Sequence, residues 1–179
     1  MQVSRIMKDD FSENMLIDYL AWKKCNDFFT MYEYIPLKFS LEQVLICSTL
    51  FCPRIDRVGN FLFLKDSRQL ESIKTMIDNN CNSKSIESFV NHVFLSGIFP
   101  IDAEDKEQEN LEKAQLKILG KRIEYSWNFY FKDKFPDKKI KVEFYKDKYD
   151  EYCITFYQDI DDFQYDKEEL EEYFLKCKS

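Results

Sequence analysis

The sequence predicts a single α+β domain in which two antiparallel β-hairpins pack against several helices. Three observations carry that prediction. Apolar residues recur at helical spacing in several stretches, Gly59-Asn60 separates two short segments, 54–58 and 61–64, and strict alternation of apolar and charged residues begins after Pro136. The chain has 179 residues, 45% of them hydrophobic and 17% aromatic, with 3 Gly and 4 Pro. That length suits one globular domain over residues 1–179, able to bury roughly 70% of the surface of its unfolded chain, and no repeat or linker divides it.

Taken in order, Ser12 to Tyr34 spaces Met15, Leu16, Tyr19, Leu20, Cys25, Phe28, Phe29 and Tyr32 as a helix would, and Pro36 should end it by removing a backbone donor. Ser40-Leu41-Glu42-Gln43 is a capping box, so a buried helix should run from Val44 to about Phe51 and close at Pro53. Arg54 to Val58 and Phe61 to Leu64 flank Gly59-Asn60, which reads as a tight hairpin. Asp66-Ser67-Arg68-Gln69 resembles a second capping box before Leu70, Ile73 and Ile77. A further helix near Ser85 carries Ile86, Phe89, Val90 and Val93 on one face and stops at Gly97 and Pro100.

Asp102 to about Lys132 reads as a long helix with the stripe Leu116, Leu119, Ile123, Trp127 and Tyr130, its acids early and its bases late as the helix dipole favours. After Pro136 the alternation of Ile140, Val142 and Phe144 with Lys139, Lys141 and Glu143 predicts a strand with one core face and one wet face. Glu151 to Gln158 is its partner across a turn at 146–150. Lys167 to Lys176 is a last helix with Leu170, Tyr173 and Phe174 on its apolar edge.

Motifs that carry chemistry are sparse. The three glycines, Gly59, Gly97 and Gly120, lie too far apart for a phosphate loop or a dinucleotide fingerprint. His92 is the sole histidine, so two-histidine metal motifs are ruled out, and a surface or partly buried histidine is expected rather than a general acid or base. The cysteines at 25, 47, 52, 81, 153 and 177 show no Cys-x-x-Cys pair, and several sit in apolar runs, which predicts free thiols and no zinc. Asp159, Asp161 and Asp162 could attract calcium, but their spacing does not suit an EF-hand loop. No cofactor is expected, and nothing argues for an enzyme. The N-terminus lacks the features of a secretory signal and no stretch approaches the roughly 20 apolar residues of a membrane span, so the expectation is a cytoplasmic protein without membrane contact.

Charge is the uneven property. Residues 1–146 hold 22 basic and 22 acidic side chains, whereas 147–179 hold 4 and 11, so the net charge of −7 belongs to the C-terminal end. Residues 113–146 are by contrast net +6, ten basic against four acidic. Those bases, interleaved with Tyr125, Trp127, Phe129, Tyr130 and Tyr145, could form a nucleic-acid surface, but the aromatics fall mostly on the predicted core stripe and the overall charge disfavours it. The acidic face 147–179 is the candidate partner-binding site, with Asp159, Asp161, Asp162, Glu168, Glu169, Glu171 and Glu172 as its side chains. The equally simple alternative is a solvated face that keeps an aromatic-rich chain soluble.

Three stretches together carry a resemblance: Leu50-Phe51-Cys52-Pro53 leading into the Gly59-Asn60 hairpin, Phe89-Val90-Asn91-His92-Val93, and Phe135-Pro136 followed by paired strands ending Ile154-Thr155-Phe156-Tyr157-Gln158. Together they resemble small bacterial immunity proteins, the cytoplasmic antidotes of polymorphic or contact-dependent toxins. The resemblance implies a non-catalytic inhibitor that occludes a toxin's active site. Acid would steer it onto a basic toxin domain. A structural or adaptor protein whose acid serves solubility is the alternative.

Overall fold

A computed structural model of the chain describes residues 11–65, 70–160 and 163–176. After a 3-10 turn at Glu13–Met15, its elements in chain order are α1 (Ile17–Cys25), α2 (Met31–Lys38), α3 (Leu41–Ser48), β1 (Ile55–Val58), β2 (Phe61–Leu64), α4 (Leu70–Asp78), α5 (Ser83–Val90), β3 (Val93–Phe94), α6 (Leu95–Ile98), α7 (Lys106–Lys134), β4 (Ile140–Lys146), β5 (Tyr152–Gln158) and α8 (Lys167–Lys176). The α+β class and both hairpins follow the sequence reading. In the first, Val58 faces Phe61 across the turn and Gly59 takes φ 55, a left-handed conformation that a Cβ would oppose. In the second, Ile140 pairs with Gln158 and Lys146 with Tyr152. The two hairpins form separate sheets, and β3 adds to the second by pairing Val93 with Ile154 and Phe94 with Cys153.

Strand β2 divides two cores. Alternate side chains of a strand point to opposite faces, so Phe61 and Phe63 join Val58, Ile73, Ile77, Ile86, Val90, Leu170 and Phe174 on one side. Leu62 joins Leu95, Leu116, Ile123, Trp127, Phe131, Val142, Ile154 and Phe156 on the other. The first core is closed by α4, α5 and α8, the second by α6 and α7. Helix α7 is capped by Asp105, whose Oδ1 accepts the amides of Glu107 and Gln108 at 2.9 Å each. It also holds the segment after α3: Trp127 Nε1 donates to Leu50 O at 2.7 Å and Ser126 Oγ to Phe51 O at 2.8 Å.

What joins the two sheets is a pair of side chains one turn apart, Glu87 on α5 and Asn91 at its C-cap. Glu87 Oε1 accepts the Leu62 amide at 2.9 Å and Gln158 Nε2 at 2.7 Å, and Oε2 accepts the Gln158 amide at 2.7 Å. Asn91 Oδ1 accepts the Leu64 amide at 2.8 Å, while its Nδ2 donates to Leu62 O at 2.9 Å and Phe156 O at 3.2 Å. Facing edges of β2 and β5 thus satisfy their main-chain groups on Glu87 and Asn91, both fully buried, where another strand would otherwise be required.

Several expectations need correction. The predicted helix over 12–34 is broken after Cys25, with Phe28 at φ 62, and Pro36 lies inside α2 instead of ending it. Thr30 and Glu33 start α2 with a capping box, and an eight-residue helix tolerates the single bond that Pro36 removes. The Ser40 capping box forms as expected, but α3 has no buried residue. Val93 lies on β3, not on a helix face, and Gly97 lies within α6. The long helix begins at Lys106 and reaches Lys134. The wet face expected of β4 is present at Lys139 and Lys141, whereas its partner β5 is covered on both sides, by α7 and by α5; Thr155 Oγ1 there donates to Ser88 O at 2.7 Å. The second capping box at 66–69, the Leu70 side chain, Asp161, Asp162 and Cys177 lie outside the described residues.

Candidate functional site

The acidic residues of the C-terminal end divide into two sets. In the β4–β5 turn, Asp147 Oδ1 accepts the amides of Tyr149 and Glu151 at 2.8 and 2.9 Å, Asp150 pairs with Lys146 at 2.6 Å, and Glu151 accepts the Ser96 hydroxyl. Asp159 lies between Lys84 at 3.1 Å and Lys139 at 3.5 Å, and the Lys84 hydrogen bond above all holds its carboxyl below the usual range. These acids are engaged by partners within the chain, although the Asp150 and Asp159 side chains remain solvent-exposed.

Helix α8 holds the other set. Asp166 Oδ1 caps it through the amides of Glu168 at 2.8 Å and Glu169 at 3.3 Å. Leu170 and Phe174 are buried in the first core and the Tyr173 hydroxyl donates to Asp56 Oδ2 at 3.0 Å, which fixes the rotation of the helix. Glu168, Glu169 and Glu172 therefore face solvent and Glu171 is half-buried. Glu172 meets Lys176 at 3.4 Å, an exposed pair of little energetic consequence. Because α8 packs on α4 and β1 while α7 packs on β4 and β5, the acidic helix and the basic helix lie on different sheets. Of the predicted site residues, the structure brings Glu168, Glu169 and Glu172 together as an outward row, sets Glu171 at its edge, and pairs Asp159 with Lys84 and Lys139 at the surface.

Sequence reasoning missed a second surface. Helices α2 and α3 with their flanks expose Phe28 (97%), Tyr32 (89%), Leu41 (76%), Ile46 (62%) and Leu45 (59%). Near them Tyr19 is buried, stacked on Phe29 at 6.2 Å and edge-on to Tyr34 at 5.5 Å, with Lys38 reaching Asp18 at 3.4 Å. The one available signal was that α3 is apolar on nearly every side, so burial would have required cover all round. Large exposed apolar patches mark contact surfaces. Changing Phe28, Leu45 and Ile46 to Ser should shift stability by less than about 0.5 kcal/mol each; a urea melt checks this, and a large loss would mean that these side chains are buried in solution.

His92 is half-buried, its ring edge-on to Phe94 at 4.4 Å and stacked on Tyr145 at 6.0 Å. Burial lowers its pKa, against a smaller opposing effect of Asp147. Its Nε2 is buried and finds no hydrogen-bond partner among the described residues. Cys153 is buried with its thiol pushed up to about 11, chiefly by desolvation, which makes it a poor nucleophile. Among the described residues no group of three or more His, Cys, Asp or Glu side chains could hold a metal ion, and no helix is long and apolar enough to cross a membrane. Comparison with protein-family models, curated proteins and solved structures finds no match.

Proposed function

We propose that the protein is a non-catalytic, cytoplasmic binding protein that neutralises a basic toxin domain by covering its active site. The observation that carries the protein-partner reading is the apolar surface of α2 and α3, whose aromatic and aliphatic side chains offer the desolvated anchors that dominate binding energy. The outward row of Glu168, Glu169 and Glu172 supports a partner of positive charge, since a concentrated field of opposite sign raises the association rate. The resemblance to immunity proteins supplies the antidote character. Adaptor function is the second reading, favoured by the same apolar surface without any role for the acid.

Affinity capture from the source cell with mass spectrometry tests the reading, followed by co-expression of the captured protein. A basic partner whose toxicity is suppressed supports it, whereas a non-toxic partner favours the adaptor. Neutralising the acidic row with Glu168→Gln, Glu169→Gln and Glu172→Gln should slow association about tenfold at low salt and flatten its salt dependence. Stopped-flow mixing measures this. Unchanged rates would remove the steering role and leave the apolar surface as the sole determinant.

A further inference from the structure

Along one flank of α7 runs a cavity of about 730 Å³, within the range of small-molecule pockets. Three segments wall it: Met15 and Leu16 at the end of the 3-10 turn, Phe99 and Ile101 after α6, and Ile118 and Leu119 of α7. Phe99 is exposed and the other five are half-buried, so each keeps surface that a ligand can touch. The wall is tied to the helix at two points. Gln115 Nε2 donates to Met15 O at 2.5 Å, and the Arg122 guanidinium lies 4.6 Å from the centre of the Phe11 ring. Glu112, Gln115, Leu119 and Arg122 all line the cavity and recur at steps of three and four, which puts them on one face of α7.

Charge is distributed unevenly along that face. Glu112 stands one end of the stripe away from Arg122, about 15 Å along the helix axis, and Asp102 belongs to the segment that leads into the Glu112 end of α7. Glu112 accepts Gln108 Nε2 at 2.8 Å, a neutral partner, and among the described residues neither Glu112 nor Asp102 meets a cation. Arg122 at the far end is already engaged, by the Phe11 ring among others. An apolar cavity with two uncompensated carboxylates at one end and an occupied guanidinium at the other favours a positive head on an apolar body, in one orientation. We infer that this cavity binds an amphiphilic amine, its ammonium toward Asp102 and Glu112 and its hydrocarbon body along Ile118, Leu119 and Phe99. None of these residues belongs to α2, α3 or α8, so the site is independent of the proposed partner surfaces.

Octylammonium, octanol and octanoate share one hydrocarbon body and differ in the charge of the head, which makes them the probes. Titration followed by the methyl resonances of Ile118 and Leu119 reports on this cavity and not on the apolar surface of α2 and α3. At low salt octylammonium should shift both residues and bind about fivefold more tightly than octanol, with octanoate weakest. About 1 M salt should close the gap between the first two. The double variant Asp102→Asn/Glu112→Gln should bring octylammonium down to the affinity of octanol and leave octanol unchanged. Equal binding of octylammonium and octanol by the unmodified protein at low salt, binding that leaves Ile118 and Leu119 unmoved, or no binding of octylammonium at about 10 mM would each overturn the inference. Because the contrast between probes is read on the unmodified protein, the test does not depend on the variant folding.

Discussion

Glu87→Ala is expected to destabilise the fold by about 3 kcal/mol or more, as read from a urea melt. The carboxylate accepts the Leu62 amide, the Gln158 amide and Gln158 Nε2, all on a side chain with no exposed surface. Truncation leaves the Leu62 and Gln158 amides buried without partners, each costing about 1–3 kcal/mol, and takes one of two acceptors from Gln158 Nε2, which keeps Asn60 O at 2.8 Å; removal of a desolvated charge partly offsets the loss. The loss falls on the join between the two sheets, so hydrogen exchange should rise at Leu62 and Gln158 before it rises in α7. Glu87→Gln removes the charge and keeps one of the two acceptor oxygens. Desolvation raises the Glu87 pKa above its ordinary value of 4.5, outweighing the Gln158 and Leu62 hydrogen bonds and the field of Lys138. A group whose folded pKa is raised stabilises the fold fully below its unfolded pKa, and that contribution is lost as pH rises through the folded value. Wild type should therefore lose stability relative to Glu87→Gln as pH rises above 4.5. A gap that is flat with pH would show that Glu87 does not titrate differently in the two states.

The same residue shows where the sequence stopped being readable. The hairpin turn was legible because Gly59-Asn60 is a local signal, and the β4–β5 pair because alternation of Ile140, Val142 and Phe144 with charged neighbours is local too. Glu87 falls between Ile86 and Phe89 and reads as one polar residue on an amphipathic helix. Its burial depends on strand edges 25 and 71 residues away along the chain. A hint existed in the spacing: Ser83, Glu87 and Asn91 recur every four residues beside Ile86 and Val90, and all three are buried. The acidic helix was legible as a helix with an apolar edge, and Leu170 and Phe174 do set its rotation. What no local pattern could show is that Asp159 is held by Lys84 and Lys139, since this depends on bringing α5 and β4 together. The exposure of α3 was misread for a related reason. Apolar composition states that a helix would be more stable covered, and not whether this chain supplies the cover.

Gly120→Ala should destabilise the protein by about 2 kcal/mol, opposite in sign to the usual effect of replacing a glycine inside a helix, where alanine adds about 0.5–1 kcal/mol. Gly120 is buried in the middle of α7 against β4. A Cβ there would stand 2.2 Å from Phe144 Cε2, 2.5 Å from Cζ and 2.8 Å from Cδ2, all well inside van der Waals contact. The ring has little freedom to retreat: it stacks on Tyr152 at 5.5 Å, and the Phe144 amide donates to Glu124 Oε1 at 3.1 Å, which ties the strand backbone to α7 one turn beyond Gly120. Relief must come from the helix moving off the sheet, where Leu116, Ile123 and Trp127 would lose contact with Val142, Ile154 and Phe156. A double-mutant cycle isolates this cause. Phe144→Leu removes the clashing ring edge at a cost of about 1 kcal/mol, and in that background Gly120→Ala should become neutral or stabilising, a coupling of about 2 kcal/mol between two residues in contact. Additive effects would mean that Gly120 is required for a reason other than the approach of Phe144. They would also remove the argument that the spacing between α7 and β4 is set by the absence of a side chain at this one position.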